Sequence, residues 1–124
     1  MTILQILQAD YQKFPIDQTY EIYAEDVYFK DPMTEFRGRD RYKATIGFIK
    51  TWFLNVKMDL HSIQQSGDTI RTDWTLHWNT PLPWKPKIAI PGWSELQIAN
   101  NLIVSHIDYW HCSKFDVLKQ HFKS

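Results

Sequence analysis

Leu102-Ile103-Val104-Ser105-His106-Ile107-Asp108-Tyr109-Trp110-His111 is the stretch whose reading decides the fold. Its β-branched and aromatic residues predict a strand. Side chains alternate between the two faces of a strand. Ile103, Ser105, Ile107 and Tyr109 therefore share one side, and Val104, His106, Asp108 and Trp110 share the other. The second side carries an imidazole, a carboxylate and an indole together. A carboxylate on a largely apolar element costs free energy unless it is paired or used, so this face is read as the floor of a pocket.

Immediately upstream, Asn100-Asn101 suits a tight hairpin turn, because Asn tolerates positive φ. It connects the last strand to another long one, Lys87–Ala99, with a bend expected at Pro91-Gly92. Before the proline-rich bend of Pro81 to Pro86, Thr69–Asn79 sets Ile70, Thr72, Trp74, Leu76 and Trp78 against Arg71, Asp73, Thr75, His77 and Asn79. Gly67-Asp68 marks the turn before it. From Asn55 onward Val56, Met58 and Leu60 alternate with Lys57, Asp59 and His61, the pattern of a half-buried strand. These four segments predict an antiparallel meander with one apolar face.

Helical spacing governs the first part of the chain. Ile3, Ile6, Leu7, Tyr11 and Phe14 predict an amphipathic helix that Pro15 stops. Asp17 is a candidate N-cap for a second helical stripe through Tyr20, Tyr23 and Val27. Val27–Asp31 reads as a short strand closed by Pro32, with Phe29 and Asp31 on one face. Gly38 marks a turn and Asp40 a cap for a helix over Asp40–Phe53, whose buried stripe is Tyr42, Ile46, Ile49 and Phe53. Arg37, Arg39, Arg41 and Lys43 crowd its start and are read as a solvated charge run. At the end, Ser113 with Asp116 makes a capping box for a short helix bearing Phe115, Leu118 and Phe122.

One domain spanning residues 1–124 is expected from the length. Fourteen basic residues balance fourteen acidic ones, leaving none of the basic excess that nucleic acid or an anionic membrane would attract. Aromatic residues reach 15%, with six Trp, enough large rings to wall a core, a pocket or a partner surface. The lone Cys112 excludes an internal disulfide and fits a reducing compartment. Met1–Asp10 has no secretory leader pattern and no apolar run reaches membrane-span length, so a cytoplasmic protein is expected. His61, His77, His111 and His121 show no ligand spacing, and neither a metal nor a cofactor is expected.

The order of helices, short strand, helix and long meander predicts an α+β plan in which helices cover the apolar face of a curved antiparallel sheet. That order resembles the nuclear-transport-factor-two-like superfamily, also called SnoaL-like or cystatin-like. The residues carrying the resemblance are Ala24-Glu25-Asp26-Val27-Tyr28-Phe29-Lys30-Asp31-Pro32, Phe36-Arg37-Gly38-Arg39-Asp40, and Ile103 through Trp110. More narrowly, the chain resembles an uncharacterised domain-of-unknown-function family from photosynthetic organisms. The resemblance implies a cone with N-terminal helices on the concave face of the sheet, a mostly apolar cavity and a homodimer. Compared with limonene epoxide hydrolase, another member, the last-strand Asp falls at Asp108, while the Tyr and Asn of that enzyme fall at Phe29 and Asp31. Its Arg-x-Asp pair has the letters of Arg71-Thr72-Asp73, displaced by two residues from the preceding glycine.

Asp108 and Asp31 are the candidate catalytic acids, since burial and a like-charged neighbour both raise a carboxyl pKa toward general acid–base work. A turn residue bonding its own backbone is the other reading of Asp31, and a strand residue paired with a nearby cation is that of Asp108. His106 either orients and relays protons to Asp108 or is a satisfied core histidine. Phe29, Trp74, Trp78, Trp110 and Tyr20 are the candidate ligand-binding residues. Three functions follow: binding of a small apolar or amphipathic molecule, a proton-transfer enzyme of isomerase, dehydratase or epoxide-hydrolase type, and a non-catalytic dimeric interaction module. Were the parity reversed, Arg71, Asp73 and His77 would line the cavity instead.

Overall fold

The structure, a computed structural model, describes residues 1–122. Helix α1 (Ile3–Lys13) opens on a capping box in which Thr2 Oγ1 accepts from Gln5 N and Gln5 Oε1 accepts from Thr2 N. It ends ahead of the cis peptide joining Phe14 to Pro15. A single 3₁₀ turn, Tyr20–Ile22, leads into β1 (Tyr23–Lys30), and β2 (Glu35–Arg37) folds back on it. Helix α2 (Arg39–Trp52) precedes the meander of β3 (Leu54–Ser66), β4 (Thr69–Asn79), β5 (Lys87–Ala99) and β6 (Leu102–Trp110). The short α3 (Lys114–Gln120) follows, capped reciprocally by Ser113 and Asp116.

The six strands form one sheet in the order β2-β1-β6-β5-β4-β3. Every pair is antiparallel except β1 with β6, which run parallel. Register shifts interrupt β3, β1 and the β5–β6 pair, and such bulges bend a sheet and increase its twist. The concave side buries Ile70, Trp74, Trp78, Ile88, Ile90 and Leu96, and α1 adds Leu7 and Tyr11. No helix among the described residues is long and apolar enough to cross a membrane.

Three local expectations are corrected. The helical stripe from Asp17 does not form: Asp17 takes φ 49°, and Tyr23 and Val27 belong to β1. The β-branched and aromatic residues there find ladder partners in β6, which outweighs weak local helical spacing. Gly38, at φ 121°, occupies the N-cap of α2, and Asp40 sits in its first turn. In β6 the strict alternation fails at its start. Leu96 faces His106 but Ile98 faces Ile103, so the bulge turns Ile103 inward as well as His106.

Gly92 is the tightest point of the sheet. A Cβ there would collide with the backbone oxygen of Tyr109 and lie 2.9 Å from Trp74 Cη2. Backbone cannot swing aside as a flexible side chain does. Gly92→Ala is expected to lower stability by about 1–3 kcal/mol, read as a fall in the urea midpoint. An unchanged midpoint would show that the sheet relaxes around the added methyl.

Candidate functional site

The register of the meander stacks three rows of side chains across the concave face. Ile70, Leu96, His106 and Phe29 make one row, each opposite the next. Trp74, Gly92 and Trp110 make another. Between them lies a polar row: Thr72 opposite Ser94, and Ser94 opposite Asp108. Lys30 pairs with Ile107 at the end of the parallel β1–β6 ladder, and Asp31 follows it into the turn that its N–H closes on the Thr34 carbonyl.

This row is bonded end to end. The Tyr11 hydroxyl lies 2.8 Å from Thr72 Oγ1 and donates to Ser94 Oγ at 3.4 Å. Trp74 Nε1–H, which can only donate, reaches Ser94 Oγ at 2.9 Å. Ser94 in turn donates to Asp108 Oδ1 at 2.5 Å, and His106 Nε2 lies 2.7 Å from the same oxygen. Thr72 and Ser94 are fully buried, and the Asp108 side chain is 20% exposed. Burial, and then the Asp108 charge, push the Tyr11 phenol far above its ordinary range, which keeps it a hydroxyl donor.

Above the row the cone encloses a cavity of about 580 Å³, within the range of small-molecule sites. Its walls are mostly apolar, with Phe29, Tyr42, Phe53, Leu76, Trp78 and Trp110 prominent. Trp78 stacks on Phe53 at 4.8 Å between centroids, whereas Phe29, Tyr23 and Tyr42 surround the His106 ring at 5.2–6.2 Å.

Asp108, Asp31, His106, Phe29, Trp74, Trp78 and Trp110 all line this cavity. Tyr20 is not among the lining residues. It stands edge-on to Tyr42 with Lys43 Nζ above its ring. Arg71, Asp73 and His77 face outward. Arg71 bonds Asp73 and covers Trp93, and His77 bonds Asp59. The reversed parity and the Arg-x-Asp pair are thereby removed from the site.

Asp31 is both a turn residue and a lining residue. It lines the cavity, and its Oδ1 accepts from Met33 N and Thr34 N at 2.7 Å each. Tyr11, Ser94 and Asp10 are site residues that pattern reading missed. Asp10 is buried on α1, where Thr19 N and Thr19 Oγ1 donate to its carboxylate. Only the inward parity of Ser94 between Gly92 and Leu96 signalled its place. Burial raises the Cys112 thiol, with Asp116 adding to the effect, so it is no activated nucleophile.

Residues 1–106 match the sequence model of a family described as "Uncharacterized conserved protein (DUF2358)". No curated protein matches the chain. Among solved structures, a hypothetical protein with a ketosteroid isomerase-like fold from Catenulispora acidiphila DSM 44928, in complex with trimethylamine, superposes at TM-score 0.78. It is 18% identical, over 100% of this chain and 96% of its own. An NTF2-like protein of unknown function from Burkholderia pseudomallei K96243 reaches 0.76 at 16% identity, covering 94% of each chain. An LEH-like epoxide hydrolase from M. tuberculosis reaches 0.73 at 13% identity, over 94% of this chain and 86% of that one. The fold is that of SnoaL-like and NTF2-like proteins.

Burial pushes the Asp31 carboxyl above its usual range, the Met33 and Thr34 donors lower it, and Asp108 raises it again. The folded state thus holds this proton to higher pH than the unfolded chain. Its contribution to stability is complete below the unfolded carboxyl range and is lost as pH rises through the raised folded value. Asp31→Asn retains an oxygen for both backbone donors and removes the buried charge. It is expected to raise the melting temperature at neutral pH and to lose that gain near pH ~3. A neutral-pH melting temperature at or below the parent's would refute this assignment of the cost.

Proposed function

The chain belongs to that uncharacterised conserved family, and we propose that it is a small-molecule-binding protein whose cone holds one apolar or amphipathic ligand. The observation that carries this reading is a cavity of about 580 Å³ with aromatic walls and one bonded polar row at its floor. Apolar walls supply affinity through buried area, while a few fixed polar groups supply orientation. The floor is held by the protein itself: Ser94 and His106 both bond Asp108 Oδ1, and a fixed polar group leaves little ordering cost for binding.

Trp74, Trp78 and Trp110 line the cavity and are natural reporters. Intrinsic tryptophan fluorescence is expected to change saturably when a set of linear and cyclic apolar molecules is titrated in. Leu76→Trp, which adds bulk at the wall, is expected to weaken binding by about tenfold or more. Absence of any saturable change across the set would end this reading.

A proton-transfer enzyme is the second reading, favoured by one observation: Asp108 lines the cavity beside an imidazole and, among the described residues, spends only Oδ1 on donors. A general base needs a free oxygen within hydrogen-bond reach of the substrate proton. Given a substrate from an epoxide or hydroxyketone panel, Asp108→Asn is expected to lower kcat by about 100-fold or more while the circular dichroism spectrum is preserved. Full turnover in that variant would exclude Asp108 as the base.

A further inference from the structure

The hydrogen-bond polarity of the floor can be followed donor by donor. Trp74 Nε1 can only donate, so Ser94 Oγ accepts from it and sends its own proton to Asp108 Oδ1. His106 lines the same cavity, its side chain is 6% exposed, and its Nδ1 has no partner among the described residues. His106 Nε2 and Ser94 Oγ both bond Asp108 Oδ1, which leaves Asp108 Oδ2 without a hydrogen-bond partner among the described residues.

Asp31 is in the same position. Two backbone N–H groups take Oδ1, and its Oδ2, like that of Asp108, has no hydrogen-bond partner among the described residues. Both acids line the cavity, and Asp31 directly follows Lys30, the residue that pairs with Ile107 next to Asp108. Other charged or titratable groups on the lining do not neutralise them. Asp10 is a third acid, bound by Thr19 and 3.9 Å from Lys13. Lys114 is exposed at the start of α3, and His121 spends both ring nitrogens on Thr80 and Val117.

We infer that the floor of the cone recognises the protonated amine head of an amphipathic organic molecule, with Asp31 and Asp108 as its two acceptors. The inference rests on the ligand-binding reading and names the ligand's polar end. An ammonium offers three donors and a positive charge to two carboxylate oxygens that have no hydrogen-bond partner among the described residues. Phe29, Tyr42 and Trp110 stand on the lining, and aromatic rings attract cations. The same rings disfavour a hard metal ion, which asks for six or more oxygen ligands. A carboxylate head would add a third negative charge in a site of low dielectric, where like charges repel strongly.

Decylamine, decanol and decanoate share one tail and differ only at the head, and decylamine is protonated at neutral pH. Titrated into the full chain and followed by tryptophan fluorescence and calorimetry, decylamine is expected to bind about tenfold or more tighter than decanol, and decanoate weakest. Asp31→Asn and Asp108→Asn should each reduce the ratio of decylamine to decanol affinity by about tenfold. If either variant fails to fold, the order of the three heads on the parent chain still decides. Binding of decanol with no preference for the amine overturns the head-group assignment and leaves the ligand-binding reading standing. Binding of none of the three overturns both.

Discussion

Asp108 carries a carboxylate on the concave face of a sheet, and the rest of the site follows from the need to satisfy it. A charged oxygen withdrawn from water must be given donors, and the strands on either side supply them. Ser94 lies directly opposite on β5, and His106 lies two residues along β6 on the same face. Ser94 can serve only because Trp74 occupies its acceptor side from β4. Trp74 can take that position only because its cross-strand partner is Gly92, where the indole ring crosses bare backbone. One buried charge thus links a glycine, an indole, a hydroxyl and an imidazole over three strands. A chain of hydrogen bonds in a dry site strengthens its members, and helix α1 closes it by sending Tyr11 down onto Thr72 and Ser94.

The cone itself comes from interrupted pairing. A flat sheet of these lengths would leave its apolar face too broad for two helices to cover. Bulges in β3, β1 and between β5 and β6 bend it until the face becomes a hollow. Helix α2 covers that hollow through Tyr42 and Ile46, and α1 covers it through Leu7 and Tyr11. Curvature also explains why the interior is not solid. Residues of the floor converge, whereas those nearer the rim, such as Leu76, Phe53 and Trp110, are only partly buried and diverge around open space.

Most of this plan was legible in the sequence. The ranges Thr69–Asn79 and Lys87–Ala99, the Asn100-Asn101 turn at φ 52° and 62°, and the Ser113 capping box are local features that tertiary contacts merely ratify. Asp108, His106 and the tryptophans were legible as a face because period two fixes which side chains share a side. What was illegible depended on partners far along the chain. Tyr23 and Val27 read as helical until β6 gives them a ladder. The inward turn of Ile103 needs a bulge whose only cause is the β5 register. Tyr20 looked like a wall residue, but the 3₁₀ turn aims it at Tyr42 and Lys43 instead. Ser94 gave no signal beyond its inward parity, because a serine acquires its role from the groups that donate to it.

Likeness of fold and likeness of site separate here, as the chemistry of such folds lives in side chains. In the resemblance to limonene epoxide hydrolase, the Tyr and Asn of that enzyme correspond to Phe29 and Asp31, while the Arg71–Asp73 pair is spent on the outer face beside Trp93. Replacing a neutral donor and acceptor with a ring and a second acid changes what the floor can do. An Asn beside Asp108 could hold a water by donating to it, whereas an ionised Asp31 can only accept. Asp31 and Asp108 both line the cavity, and each spends only Oδ1 on donors among the described residues.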